Sequence, residues 1–146
     1  MKIYYPYEEF RADLKALVAK IDQPFDTIIP ISRGGLSMGQ MLGEYYNIRA
    51  VYAINTMGYE GSKKLDSVRV WNLPDLQESK QVLVLDDIAD SGETLERVLS
   101  VLHATYPSVR FWSATIFYKP TASIEPTWWV KEPAGWIEFF WSEDLL

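Results

Sequence analysis

Cysteine is missing from all 146 residues. That excludes disulfide staples and thiolate metal sites, and it makes a reducing cytoplasm the expected compartment. Basic charge is also in short supply: 14 Lys and Arg stand against 20 Asp and Glu, a net charge of −6. A general nucleic-acid binder needs clustered cations to meet phosphate backbones, so no nucleic-acid partner is expected, although one local basic pocket remains open. No apolar run approaches membrane-spanning length, and the opening residues MKIYYPYEEF lack the apolar core of a signal peptide. No membrane contact, or only a peripheral one, follows. Internal repeats and low-complexity segments are absent as well. What remains is the pattern of one soluble globular domain over residues 1–146, a size at which about 70% of the unfolded surface is buried on folding.

The most informative stretch present is Val82 to Leu95, VLVLDDIADSGETL. Val82 to Leu85 are all apolar and half of them β-branched, which predicts a strand buried on both faces. Two carboxylates, Asp86 and Asp87, follow, then an Ile88-Ala89 link and the polar turn Asp90-Ser91-Gly92-Glu93-Thr94. Leu95, Val98, Leu99 and Leu102 recur at helical spacing directly afterwards. Acids and hydroxyls therefore fall between the carboxyl end of a buried strand and the amino end of a helix, where open α/β sheets bind ligands. Free N–H groups and the helix dipole favour an anion there; Ser91 and Thr94 add donors, and Gly92 offers close backbone approach. Asp86 and Asp87 would repel a phosphate, but they suit sugar hydroxyls or a hard cation such as Mg²⁺. The plainer alternative is a capped helix, since Asp90-x-x-Glu93 resembles a capping box; it accounts for those two residues and leaves Asp86-Asp87 unexplained.

Elsewhere the chain alternates helix and strand. A single apolar stripe predicts a helix over Glu8 to Ile21, and Asp26 to Ile31 reads as a short buried strand in which Pro30 suggests that pairing stops. Ser32-Arg33-Gly34-Gly35 then precedes a helix from about Leu36 to Tyr46. Its glycines let the backbone bend and approach a ligand, and Arg33 offers forked donors suited to pyrophosphate. Arg49 to Ile54 is a strand candidate, Asn55 to Asp66 has the composition of a mobile loop or hairpin, and Val68 to Trp71 reads as its return. Lys63 and Lys64 read as solvated, with some value for an anionic substrate. Val109 to Tyr118 alternates as a strand ending at Lys119-Pro120, and Trp128 to Val130 and Trp136 to Trp141 read as two aromatic strands. Lys119 read alone is as well explained by solvation as by function. Glu143 and Asp144 read as a solvated tail ahead of the alternative that they reach the metal.

The hydrophobic run, two acids and D-[ST]-G-x-T loop resemble the phosphoribosyl-pyrophosphate (PRPP) signature of the type I phosphoribosyltransferases. Three blocks carry the resemblance, Ile28 to Arg49, Val82 to Leu99 and Phe117 to Trp141, and the bacterial xanthine-guanine and hypoxanthine-guanine enzymes are the most similar group. It implies an α/β fold, a mainly parallel twisted sheet flanked by helices, with a small hood built mainly from about 119–146 and the N-terminal segment. It also implies Arg33 and Gly34 on the pyrophosphate, in a turn that often holds a cis peptide. The loop Asp90, Ser91, Gly92, Glu93 and Thr94 would hold the 5′-phosphate, with Asp86 and Asp87 on the ribose and Mg²⁺ on Asp87. Glu93 departs from relatives that carry Lys or Gly, and is tolerable if it points to solvent. Gly58-Tyr59 stands where relatives place a Ser-Tyr pair in a closing loop.

For the base, the resemblance implies that Lys119 meets the exocyclic oxygen of a 6-oxopurine, Trp136 stacks on the ring and the backbone of Ile137 reads its edge. The implied reaction moves the phosphoribosyl group of PRPP to N9 of xanthine, guanine or hypoxanthine, with xanthine-guanine placed first and Asp90 as general base or partner of N7. Family members commonly form dimers or tetramers. A regulator of the same fold, binding PRPP or a nucleotide without transferring it, is the alternative; it should carry an extra basic surface that this acidic chain lacks.

Overall fold

The computed structural model describes residues 1–60 and 63–146. Its elements in chain order are β1 (Lys2–Tyr5), α1 (Tyr7–Lys20), β2 (Thr27–Ser32), α2 (Leu36–Tyr46), β3 (Ile54–Glu60), β4 (Lys63–Trp71), β5 (Gln81–Ala89), α3 (Glu93–Thr105), β6 (Arg110–Tyr118), β7 (Trp128–Lys131), β8 (Trp136–Phe139) and α4 (Phe140–Glu143). Six strands form one sheet in the order β4-β3-β2-β5-β6-β7. Every neighbouring pair is parallel except the β3–β4 hairpin.

Alternation along the central strands divides the core into two layers. Ile28, Leu83, Leu85, Ala114 and Ile116 face α1 and α2, whereas Ile29, Ile31, Val82 and Val84 face the Leu95, Val98 and Leu102 stripe of α3. Val82 to Leu85 are fully buried, as a strand covered by helices on both faces must be. The chain runs from β2 outward to β3 on one side and from β5 outward to β6 and β7 on the other. The order therefore reverses between β2 and β5, and this switch point opens a crevice at their carboxyl ends.

Several boundaries move from the sequence expectation. Pro30 ends the pairing with β5, where it lies opposite Leu85, but β2 continues beside β3 through Ile31 and Ser32. The strand expected over Arg49 to Ile54 keeps only an isolated bridge at Val51 and, at its end, Ile54, where β3 begins opposite Ile31; between them the Val51 N–H closes back on the Arg49 carbonyl and bends the chain out of the ladder. Pairing resumes in the β3–β4 hairpin, longer than its expected return strand. The strand expected over Trp136 to Trp141 stops at Phe139. Phe140 and Trp141 turn into α4, where both rings pack on Phe10 of α1.

The two ends of the chain meet in a separate two-stranded parallel sheet, β1 with β8. Trp128 to Lys131, expected in the hood, instead extends the main sheet beside β6. One polar cluster ties these parts together. Lys131 of β7 lies 2.7 Å from Asp13 and 3.0 Å from Glu9, both on α1. The Tyr5 hydroxyl donates to the same Asp13. Lys131 also sits over the rings of Tyr5 and Phe117, 5.5 and 5.7 Å from their centroids. Burial pulls the Lys131 ammonium down, but its bonds to Asp13 and Glu9 outweigh that and hold its pKa above the ordinary lysine value. Burial, aided by Asp13, pushes the Tyr5 hydroxyl well up, so it stays protonated.

Lys131→Met is expected to lower stability by about 1–2 kcal/mol, since Asp13 and Glu9 lose a charged partner. Urea unfolding checks this. With a folded pKa above the unfolded value of about 10.4, the stabilisation is fully present at neutral pH and fades only as pH rises through the folded value.

Candidate functional site

The loop after β2 and the loop after β5 are built against each other. The Ser32–Arg33 peptide is cis. At Gly34 a side-chain carbon would collide with the Asp87 carboxylate, standing 2.7 Å from Oδ1. At Gly35 it would lie 3.0 Å from the Ile31 nitrogen and strike the Leu85 carbonyl. Both glycines are therefore demanded by the adjacent strands. The exposed Arg33 side chain overhangs the same crevice. A cavity of about 270 Å³ brings Arg33 and Gly34 together with Asp86, Asp87, Asp90, Ser91, Gly92 and Thr94.

Strand β5 does not end at Leu85; it carries both acids inside its span. Asp86 is buried, and its carboxylate accepts the Asp87 N–H at 2.9 Å. Burial first, and then the charge of Asp87, drives the Asp86 pKa well above the usual carboxylate range. Burial also raises Asp87, although hydrogen bonds, Asp86's first among them, work against the shift. Among the described residues no Lys or Arg pairs with either acid. No group of three potential metal ligands occurs among them either. Two crowded carboxylates without a countercharge nonetheless fit Mg²⁺, which takes one or two protein carboxylates and fills its shell with water and substrate phosphate oxygens.

Gly92 adopts φ 86° as the residue preceding α3. The first intrahelical bond runs from the Glu96 N–H to the Gly92 carbonyl, which leaves the helix end able to receive an anion. The capping box does not form. Ser91 Oγ accepts the Glu93 N–H at 3.2 Å, while Asp90 pairs with Lys119 Nζ at 2.9 Å. Glu93, tolerable beside a phosphate loop if it points to solvent, does so: its exposed carboxylate pairs with Lys64 of the hairpin at 3.3 Å. One sequence expectation changes here. The missing side chain of Gly92 faces protein rather than ligand, since a carbon there would stand 2.7 Å from Ser123 Oγ. The Ser123 N–H in turn donates to the Ser91 carbonyl at 2.8 Å and holds the loop from behind.

A second cavity, of about 670 Å³, adjoins the first and shares Asp90 and Ile88 with it. It contains Lys119, Trp136 and Ile137. Lys119 is fixed by its own N–H donating to the Ala89 carbonyl at 3.0 Å, which places the last residue of β5 beside the end of β6. Trp136 is 67% exposed, and its backbone N–H donates to the Met1 carbonyl at 2.9 Å. Glu143 lines this second cavity, not the paired acids, and Asp144 accepts the Tyr4 hydroxyl. Lys63 is exposed. The side chain of Tyr59, weighed for loop closure, lies outside the described residues. Sequence reasoning missed Thr56, which reaches the first cavity from inside a polar hairpin and gave no signal. It also missed Ile88 as a wall of both cavities; an apolar residue flanked by Asp87 and Asp90 was the available clue.

Comparison with known proteins agrees with this geometry. The family described as Phosphoribosyl transferase domain matches residues 2–146. The chain is 29% identical over 154 residues to a xanthine-guanine phosphoribosyltransferase of Roseobacter denitrificans, covering 95% of this chain and 84% of that one. The solved xanthine-guanine-hypoxanthine phosphoribosyltransferase of Helicobacter pylori superposes with a TM-score of 0.91 at 33% identity, covering 99% of this chain and 96% of the other. A purine phosphoribosyltransferase from Pyrococcus horikoshii gives 0.81 at 28% identity, covering 97% and 95%.

Asp86→Asn is expected to raise the Tm of the ligand-free protein at neutral pH. The folded Asp86 pKa lies above the unfolded value of about 3.9, so wild-type stability falls as pH rises from the unfolded value to the folded one. Thermal melts should show the two proteins converging near pH 3 and the variant gaining as pH climbs. A variant that melts lower at pH 7 would contradict this.

Proposed function

The chain belongs to the phosphoribosyl transferase domain family, and on that premise we propose that it transfers the phosphoribosyl group of PRPP to N9 of a 6-oxopurine in purine salvage, yielding the nucleotide and pyrophosphate. One observation carries the proposal: a crevice holding two acids with no basic partner among the described residues, and a base-sized cavity ending on an exposed tryptophan, adjoin along a shared wall of Ile88 and Asp90.

In this reading the 5′-phosphate sits at the amino end of α3 against Ser91, Gly92 and Thr94, where N–H groups and the helix dipole favour it. Asp86 and Asp87 accept from the ribose hydroxyls. Arg33 and the backbone at Gly34 face the pyrophosphate, with the guanidinium offering two parallel donors. Asp87, with Asp86 beside it, would hold Mg²⁺, which when bound would supply Lewis-acid neutralisation of the departing charge. Glu93 contributes backbone only. The base lies between Trp136 and Ile88, stacked on the indole, with Lys119 donating to O6 and the backbone of Ile137 reading the opposite edge.

The C1′–O bond to pyrophosphate breaks, the C1′–N9 bond forms, and the N9 proton leaves. Positive charge develops at C1′ and negative charge on the leaving group, so fixed dipoles and charges aimed at those atoms do most of the work. Asp90 takes the proton or orients the base through N7. A carboxylate is a weak base at neutral pH, so its effect comes from position, and its ion pair with Lys119 sets that position in the free protein. The segment around 133–146, with the first five residues, forms the hood over the base. The exposed Tyr45 and Trp71 suit assembly into a dimer or tetramer, and the cysteine-free composition suits a reducing cytoplasm.

Asp90→Asn is expected to lower kcat by on the order of 10²–10⁴ with PRPP affinity largely retained. Steady-state rates with guanine, together with calorimetry of Mg²⁺ and PRPP, measure both. Unchanged turnover would remove Asp90 from the chemistry, and absence of any PRPP heat with the wild type would remove the transferase reading.

A further inference from the structure

The three 6-oxopurines share the oxygen that Lys119 would meet and differ at C2, which carries hydrogen in hypoxanthine, an amino donor in guanine and an oxygen acceptor in xanthine. The wall of the second cavity speaks to that difference. Residues alternate along β8, so Glu138 projects on the same side as Trp136, about 7 Å further along the strand, while Phe139 turns into the core. Glu138 and Trp136 both line the cavity, and Glu143 of α4 joins them. The charged residues of the wall are three acids, Asp90, Glu138 and Glu143, and one base, Lys119. Lys119 is already committed to Asp90. Lys2, the one cation paired with Glu138 among the described residues, stands 3.8 Å from it with its side chain 79% exposed, too solvated to cancel a carboxylate whose side chain is only 25% exposed.

We infer that Glu138, supported by Glu143, is a specificity residue that selects the 2-amino purine, guanine, over the 2-oxo purine, xanthine. An ionised carboxylate only accepts hydrogen bonds. The guanine amino group donates to it, whereas the xanthine oxygen confronts it lone pair to lone pair, and the acidic wall also disfavours the xanthine anion that forms near neutral pH. Mismatch at a partly desolvated acceptor rejects more strongly than a missing contact does. This inference rests on the transferase reading given above and adds a ranking to it.

The test is the base panel at saturating Mg²⁺ and PRPP, run on the wild type and on Glu138→Gln. The expected wild-type kcat/KM for guanine exceeds that for xanthine by about tenfold or more. Gln presents a donor as well as an acceptor, so the guanine-to-xanthine ratio should fall at least about fivefold in the variant. Wild-type preference for xanthine, or a ratio that the substitution leaves in place, overturns the assignment while the transferase reading stands. Turnover of none of the three bases overturns both. Should the variant fold poorly, the wild-type panel still decides the ranking and Glu143→Gln supplies the second ratio, expected to shift in the same direction.

Discussion

Two adjacent carboxylates, neither paired with Lys or Arg among the described residues, lie inside the buried central strand β5, and the rest of the site is arranged around that conflict. Helices cover β5 on both faces, so water is excluded up to Leu85, and the next residue is a carboxylic acid. Ionising Asp86 and Asp87 together is costly in such a place, which is why burial and mutual repulsion hold Asp86 toward its neutral form. A ligand bringing a divalent cation and sugar hydroxyls relieves both problems at once. The free protein is therefore less stable at neutral pH than its hydrophobic core allows, as expected where function requires strained electrostatics.

The neighbouring charges follow a different rule. Asp90 and Lys119, and Glu93 and Lys64, are exposed pairs at 2.9 and 3.3 Å. Pairs of this kind contribute little to stability, so their importance lies in where they aim their partners. Asp90 turned toward Lys119 sits over the base cavity rather than capping α3. Glu93 turned toward Lys64 keeps a negative charge out of the phosphate loop. The acid that departs from the family pattern thus does no harm, and the loop keeps its electropositive helix end.

Local pattern made the centre of the molecule legible. The four apolar residues before Asp86, the D-S-G-E-T turn and the S-R-G-G turn each combine a strand end with a helix start, and the structure puts them side by side in one cavity. What the sequence could not show was set by partners distant in the chain. Gly92 looked like room for a phosphate, yet it is required by Ser123, 31 positions further on. The partner that holds Glu93 toward solvent, Lys64, comes from the hairpin, 29 positions back. The strand expected at 49–54 is broken because a single backbone turn at Val51 interrupts it, a feature with no apolar signature. Phe140 and Trp141 kept the alternation of a strand but were drawn into a helical turn by the Phe10 ring on α1.

The base cavity depends on the same long-range closure. Its tryptophan lies on β8, whose only strand partner among the described residues is β1, so these two strands must pair before Trp136 has a position. Two strands alone are marginal in water, and this pair is anchored by aromatic packing: Tyr5 and Phe139 sit edge to face with each other and with Phe117 of the main sheet. Lys131 then lies against the Tyr5 and Phe117 rings and holds the acids of α1. The β1–β8 sheet is thus clamped to β6, which ends at Tyr118, one residue before Lys119. One network thus fixes the relative placement of Trp136 and Lys119, the ring and the amine that the proposed function puts against the base.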